Sequence, residues 1–417
     1  MESQVQLGFS IPLENISSKT NKHLNFTHCN SNWLQWDGGK IGGKPIWLNP
    51  RDIPTNLCCT SETCHGDSEQ NKLSLLVQLY CPADDVEDNA FHRTIYVFIC
   101  NNCQNVRVLR CQLPRQNPFY VHEISSKKQK VFEKWNMSSY WNVELCSLCN
   151  KKSNDNVRIP NSDDKLSFCS NSCCEEYKNN YLQTKTNEIP ELNNSIILLP
   201  ESEIYVEEEP PSMSSSTNKK ELIEEDEFDD DDENITQSDI NKWTHTDGNT
   251  TGCTDSYTLE FQSRIHNREV PVQNQCLRYN RWYDKEEDNN EDEHNGPLWI
   301  QENHIPGDDN IPNCQHCGSP RLFEFQIMPQ MLYYIQRSND TSNEKSNLKE
   351  MLLSNNNSIK NNFDWGVIAV YTCSKSCHKY TVLKDMDDNR NTKLDKDLGA
   401  YVEEFAWTQP PPSVMDE

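Results

Sequence analysis

The sequence lacks the usual marks of a catalyst or a membrane protein. It has no Gly-rich phosphate loop, no dinucleotide fingerprint, no HExxH and no nucleophile elbow. No stretch approaches the roughly 18 consecutive apolar residues of a membrane span. The opening residues, MESQVQLGFSIPLENISS, have neither the basic start nor the apolar stretch of a secretory signal. Basic residues are outnumbered, with 39 Lys and Arg against 65 Asp and Glu, for a net charge of −26. Such a surface repels a phosphate backbone and favours basic partners over nucleic acid, although on composition alone it equally serves to keep an Asn-rich chain soluble. Apolar residues are scarce as well, at 34% of the chain, with a mean hydropathy of −0.87. Runs of Asn, Asp, Glu and Ser therefore cannot offset the entropy of ordering them. The expectation is compact domains separated by polar segments, in a non-enzymatic protein of the cytoplasm or nucleus.

Cysteine, by contrast, is abundant: there are 19. In a reducing compartment clustered cysteines read as metal ligands rather than disulfides. Composition divides the chain into four blocks. Residues 1–125 mix β-type runs with cysteines, and 140–182 form a short cysteine-rich module. Residues 185–260 are acidic and polar, and 261–408 are again β-type and cysteine-bearing. Between Glu201 and Glu233 fifteen acids face two lysines, which reads as a disordered acidic linker. Two polar tracts in the last block, Asp284–Asn295 and Arg337–Asn362, read as inserted loops.

An internal repeat organises the rest. The frame W-[LI]-x4-I-P occurs at Trp47–Pro54 and again at Trp299–Pro306, each followed by cysteines. Next come the β-type runs LSLLVQLYCP and LFEFQIMP, which align Gln78 with Gln326. Each half closes with an apolar strand entering a cysteine pair: Cys100-x2-Cys103 and Cys373-x3-Cys377. The expected fold is α+β and β-rich: two related zinc-clipped β halves, packed together, with a small zinc finger and the linker inserted between them.

Thiolates two to four residues apart chelate one face of a tetrahedral zinc, and four Cys with no open position mark a structural site. The first set uses Cys64 with Cys59 or Cys58, together with Cys100 and Cys103. The last set is Cys314, Cys317, Cys373 and Cys377. Between them, Cys146-x2-Cys149-x19-Cys169-x3-Cys173 resembles a MYND-type finger that keeps one of its two zinc sites. His92 reads as structural, and His316 lies inside a cysteine pair that four thiolates already complete. Arg107, Arg110 and Arg115 form a basic cluster expected to pair with acids.

The segments GGKPIWLNP, LSLLVQLYCP, AFHRTIYVFIC and VLRCQLPRQNPFY, with CLRYNRW, PLWI and DWGVIAVYTCSKSC, resemble the programmed cell death protein 2 family. The resemblance implies a chaperone for one newly made, basic 40S ribosomal protein, the eukaryotic counterpart of bacterial small-subunit protein five. On that reading a client groove lies between the halves. Its candidate contact residues are Trp47, Trp299 and the acidic Glu207, Glu208 and Glu209. The alternative is a nuclear zinc-finger adaptor or transcriptional co-regulator working through the MYND-like module.

Overall fold

The computed structural model describes residues 5–12, 39–49, 52–55, 57–62, 64, 73–117, 144–158, 166–179, 198–209, 255–265, 275–283, 296–335, 363–378 and 399–412. Its strands are β1 (Gln6–Pro12), β2 (Gly39–Ile41), β3 (Leu73–Tyr80), β4 (His92–Cys100), β5 (Val106–Leu113), β6 (Asn154–Arg158), β7 (Ser167–Phe168), β8 (Ser202–Glu208), β9 (Gln275–Tyr283), β10 (Arg321–Ile327), β11 (Val367–Cys373) and β12 (Val402–Gln409). Among the described residues three short α-helices accompany them: α1 (Asn171–Tyr177), α2 (Ser256–Ile265) and α3 (Met331–Ile335).

Strands such as β4 and β11 are apolar on both faces, and that dictates two layers of packing. In β4, Ile95, Val97 and Ile99 join one core cluster while the alternating Tyr96, Phe98 and Cys100 join another. β11 divides the same way: Ile368 and Val370 enter the first cluster, and Val367, Ala369 and Tyr371 a third. The shared cluster draws on strands all around the sheet and fills the inside of a closed barrel, in the order β1-β8-β2-β3-β4-β5-β12-β11-β10-β9. All ten neighbouring pairs are antiparallel.

The outer clusters lie under the two repeated segments. Trp47, Leu48 and Ile53 cover β3, β4 and β5. Trp299, Ile300 and Ile305, with Phe261 and Ile265 of α2, cover β10 and β11. Each segment is held by the aligned glutamine. Gln78 accepts from Ile46 N–H (2.9 Å) and donates to Ile46 C=O (3.0 Å). Gln326 does the same with Leu298, at 2.7 and 3.0 Å. A buried amide that satisfies a backbone donor and acceptor at once fixes the segment's height over the sheet.

The structure sharpens two expectations. The β-rich prediction holds, and the strands are continuous around one ring rather than parted into two sheets. β5 pairs with β12, and β1 pairs with β9, so a single barrel closes across both. Closure removes most of the exposed amide rows that two open sheets would leave. The acidic stretch at 185–260 is also not all linker. It supplies β8, between β1 and β2, and the first half of α2. Ile204 on β8 points into the barrel cluster beside Leu199, which outweighs the polarity around it. Residues 210–254, with ten of the fifteen counted acids, lie outside the described residues, as do the tracts Asp284–Asn295 and Arg337–Asn362.

Candidate metal centres

The three Cys-x2-Cys pairs adopt one local fold. The residue after the second cysteine lies in the left-handed region: Gln104 (φ 63°), Asn150 (φ 58°) and Gly318 (φ 73°). Its N–H donates to the carbonyl of the first cysteine, Cys100, Cys146 or Cys314, at 3.0, 2.9 and 2.9 Å. The first cysteine's own N–H donates one residue further on, to Asn105, Lys151 or Ser319. This tight turn brings both sulfurs to one side. Glycine takes the left-handed conformation without penalty, whereas other residues lose about 1 kcal/mol or more. At the two non-glycine positions the side chain is anchored. Gln104 Oε1 accepts from Asp364 N–H (2.8 Å), and Asn150 Nδ2 donates to Pro45 C=O (2.7 Å).

The second pair of each set comes from elsewhere in the chain. Cys59 and Cys64 lie on the segment that follows Trp47. Cys373 ends β11, and Ser376 N–H bonds back to its carbonyl (2.8 Å). Cys169 and Cys173 flank Ser170, whose hydroxyl caps α1.

Three quartets result: Cys59, Cys64, Cys100 and Cys103; Cys146, Cys149, Cys169 and Cys173; and Cys314, Cys317, Cys373 and Cys377. Within each, all sulfurs lie within 4.8 Å of one another. The closest contacts are Cys59–Cys103 at 3.4 Å, Cys64–Cys100 at 3.8 Å, Cys149–Cys169 at 3.5 Å, Cys314–Cys377 at 3.4 Å and Cys317–Cys373 at 3.5 Å. Sulfurs placed tetrahedrally about 2.3 Å from a zinc ion stand about 3.8 Å apart. A disulfide would bring them to about 2.05 Å. The quartets are therefore suited to a metal ion and are not bonded pairs.

Their protonation agrees. Hydrogen bonding from Cys377 draws the Cys373 thiol down to about 4, while the same contact pushes Cys377 up. Cys146 is lowered by the hydrogen bond from Cys149, which is raised in turn. Sulfurs this crowded share protons until a cation lets all four ionise. Three buried thiols outside the quartets differ: burial pushes Cys81, Cys111 and Cys276 up to about 12. They pack as small apolar side chains.

The open alternative in the first quartet is resolved in favour of Cys59. Cys58 is exposed and outside the quartet, and its carbonyl accepts from Arg107 (2.9 Å). Cys58→Ser is therefore expected to leave metal content unchanged, whereas Cys59→Ala removes one ion per chain. Native mass spectrometry of both variants checks this, and equal loss in both would overturn the assignment.

Trp47 and Trp299 do not present a surface to a partner. They are 4% and 7% exposed. Trp47 stacks among Tyr96, Phe98 and Tyr401, with ring centroids 5.2, 6.0 and 5.4 Å away. Its indole N–H donates to Asn150 C=O at 2.7 Å, joining the barrel to the central quartet. Lys44 reaches Ser147 C=O (2.8 Å), and Lys151 reaches Leu73 C=O (2.5 Å), so the central module is clamped to the barrel wall. Glu207 and Glu208 are exposed on β8. Glu209 is already engaged, with Arg278 at 3.1 Å and Arg264 at 3.6 Å.

His92 is half-buried: its Nδ1 meets Tyr80 OH at 3.0 Å, and burial lowers its pKa. His316 is exposed beside its quartet. Arg107 and Arg110 pair with Glu403 (3.0 Å) and Glu404 (2.7 Å). Sequence reasoning missed the buried pair Arg93–Glu324, although Arg93 shares strand parity with the inward Ile95, Val97 and Ile99.

A family model for the N-terminal domain of programmed cell death protein 2 matches residues 5–127, and one for its C-terminal domain matches residues 255–410. The chain belongs to the programmed cell death protein 2 family. Programmed cell death protein 2 of Mus musculus is 26% identical over 385 residues, covering 89% of this chain and 90% of its own length. The protein of that name from Bos taurus is 27% identical over 394 residues, with the same coverage. Programmed cell death protein 2-like of Mus musculus is 25% identical over 365 residues, covering 82% of this chain and 86% of itself. No solved structure matches the chain. The first and last quartets fall within the two family domains, whereas the central quartet and β8 lie between them.

Proposed function

We propose that this family member is a dedicated escort for a newly made, basic 40S ribosomal protein, the counterpart of bacterial small-subunit protein five. It supports small-subunit assembly and rRNA maturation in the cytoplasm and nucleus, and it acts by binding rather than catalysis. Each quartet holds a structural zinc, and the central one is the retained half of a MYND-type finger. The barrel is a duplicated unit whose two copies have fused into one ring.

The family resemblance supplies the client. On this chain the supporting observation is charge: a net −26, with Glu207 and Glu208 exposed on a strand of the rigid barrel. An unassembled ribosomal protein is a polycation. An acidic surface covers it, and rRNA, with denser negative charge, displaces the escort. Affinity purification under native conditions is expected to recover one small-subunit ribosomal protein in equal amount, free of rRNA. Recovery of pre-ribosomal RNA without free ribosomal protein would count against the proposal. Recovery of transcription regulators instead would favour an adaptor.

A further inference from the structure

The barrel wall is completed unequally on the two sides of the β1–β8 pair. On one side β9 accompanies β1, with Gln6 opposite Tyr279 and Phe9 opposite Gln275. On the other, β2 contributes three residues, which pair with Ser202, Glu203 and Ile204 of β8. Tyr205 to Glu208 have β1 along one edge. Among the described residues no strand covers the other edge. Gly39 is the first described residue of that ladder. Its φ is +151°, and a Cβ there would stand 2.4 Å from the Gln78 carbonyl oxygen. Only glycine fits this bend at the mouth of the notch.

One hydrogen bond sets the phase of the uncovered edge. Glu209 N–H donates to Val5 C=O (2.7 Å), and from Gln6–Glu208 the register continues unshifted to Pro12–Ser202. Bonded and non-bonded pairs alternate along an antiparallel ladder. Tyr205 and Glu207 therefore turn their amide groups towards β1, while Val206 and Glu208 turn theirs away from it, onto the open edge. Ile204, in the same phase, meets Gly39 of β2. Tyr205 and Val206 are 49% and 38% exposed, unusually high for large apolar side chains in this barrel.

We propose that the Val206–Glu208 edge is a strand-addition site for an extended, basic segment of the client. The proposal rests on the escort reading and places its binding surface. Main-chain bonds to Val206 and Glu208 supply affinity, as in other cases where a peptide extends a sheet. Glu207 and Glu208 select positive side chains, and Tyr205 offers a ring on which an arginine stacks. A second copy of this chain is a poor occupant, because edge-to-edge pairing would oppose carboxylates of like charge.

The test uses the full-length protein, the purified ribosomal protein and a labelled peptide of alternating arginine and valine. Peptide binding is expected to slow amide exchange at Val206 and Glu208, while Tyr205 and Glu207 are already protected by β1. Val206→Pro removes an outward N–H that the β1 ladder does not use, and proline is tolerated at such an edge. It is expected to weaken both ligands about tenfold, the loss of roughly one good hydrogen bond with its neighbouring contact. Glu207→Lys with Glu208→Lys is expected to abolish peptide binding at physiological salt.

Unchanged exchange at Val206 in the wild-type complex would overturn the proposal, whether or not the proline variant folds. A concentration-dependent dimer that Val206→Pro dissolves would also overturn it, by making a second copy the occupant. If wild type and Val206→Pro hold the ribosomal protein equally, the edge assignment falls and the escort reading stands. If wild type ignores the ribosomal protein, the escort reading itself falls.

Discussion

With one zinc in each quartet, as proposed, Cys373→Ala is expected to lower the zinc content from three ions to two and to destabilise the barrel by several kcal/mol. Cys373 is fully buried at the end of β11 and belongs to the last of the three quartets. Structural zinc binds its cysteines with an apparent free energy of about 10–16 kcal/mol in small finger peptides, and that energy is folding energy. A typical domain has a net stability of only about 5–15 kcal/mol. The effect should spread, because both ligand loops are tied to buried side chains of the barrel. Arg110 donates to Cys377 C=O (2.8 Å), and Gln112 to Ser376 C=O (2.8 Å). Arg321 holds Pro312 and Asn313 (2.7 and 2.8 Å) in the loop that leads to Cys314. Arg110 and Arg321 share Glu404. Without the ion, these groups anchor loops that no longer close.

Cys276→Ala is the matched control, a buried thiol outside every quartet. It should keep all three ions and lose only packing. Native mass spectrometry and thermal unfolding with and without a chelator separate the two outcomes. Three ions retained by Cys373→Ala would sink the assignment.

Cysteine spacing made the quartets legible, because chelation by a short loop requires sulfurs two to four residues apart. The paired frames were legible too: Trp47, Leu48 and Ile53 cover one wall of the barrel, and Trp299, Ile300 and Ile305 another. Closure was not, since no local pattern records that β5 meets β12 or that β1 meets β9. β8 was hidden for a different reason. Its run SEIYVEE carries three carboxylates, and Ile204 is its one fully inward apolar residue. The two tryptophans illustrate a third limit. A large amphipathic ring suits an interface and a core equally, and only its neighbours decide. For Trp47 the deciding neighbours are Tyr96, Phe98, Tyr401 and the Asn150 carbonyl, contributed by three separate parts of the chain.

Arg93→Met is expected to cost about 3–5 kcal/mol, the usual penalty for leaving one member of a buried ion pair alone. Arg93 lies on β4 and Glu324 on β10, which are not neighbours in the ring, and both are fully buried. Their paired bonds of 2.6 and 2.8 Å therefore cross the barrel interior. Thr372 (2.5 Å) and Tyr279 (3.2 Å) donate to the same carboxylate, and Arg93 also reaches Cys81 C=O (3.1 Å). Replacing both partners, as Arg93→Met with Glu324→Leu, is expected to recover most of the loss, because no charge is then stranded.

The pH dependence has a definite sign. Burial alone would raise the Glu324 pKa, but the Arg93 guanidinium outweighs it and holds the carboxyl below its ordinary value. A depressed folded-state pKa gives stability that is fully present above the unfolded value, about 4.3, and is lost as pH falls through the folded one. Urea unfolding of wild type should therefore weaken as the medium is acidified below about pH 4, whereas the double variant should respond less steeply. Equal slopes, or a cost below about 1 kcal/mol for Arg93→Met, would mean that solvent reaches the pair and that it does not brace the barrel.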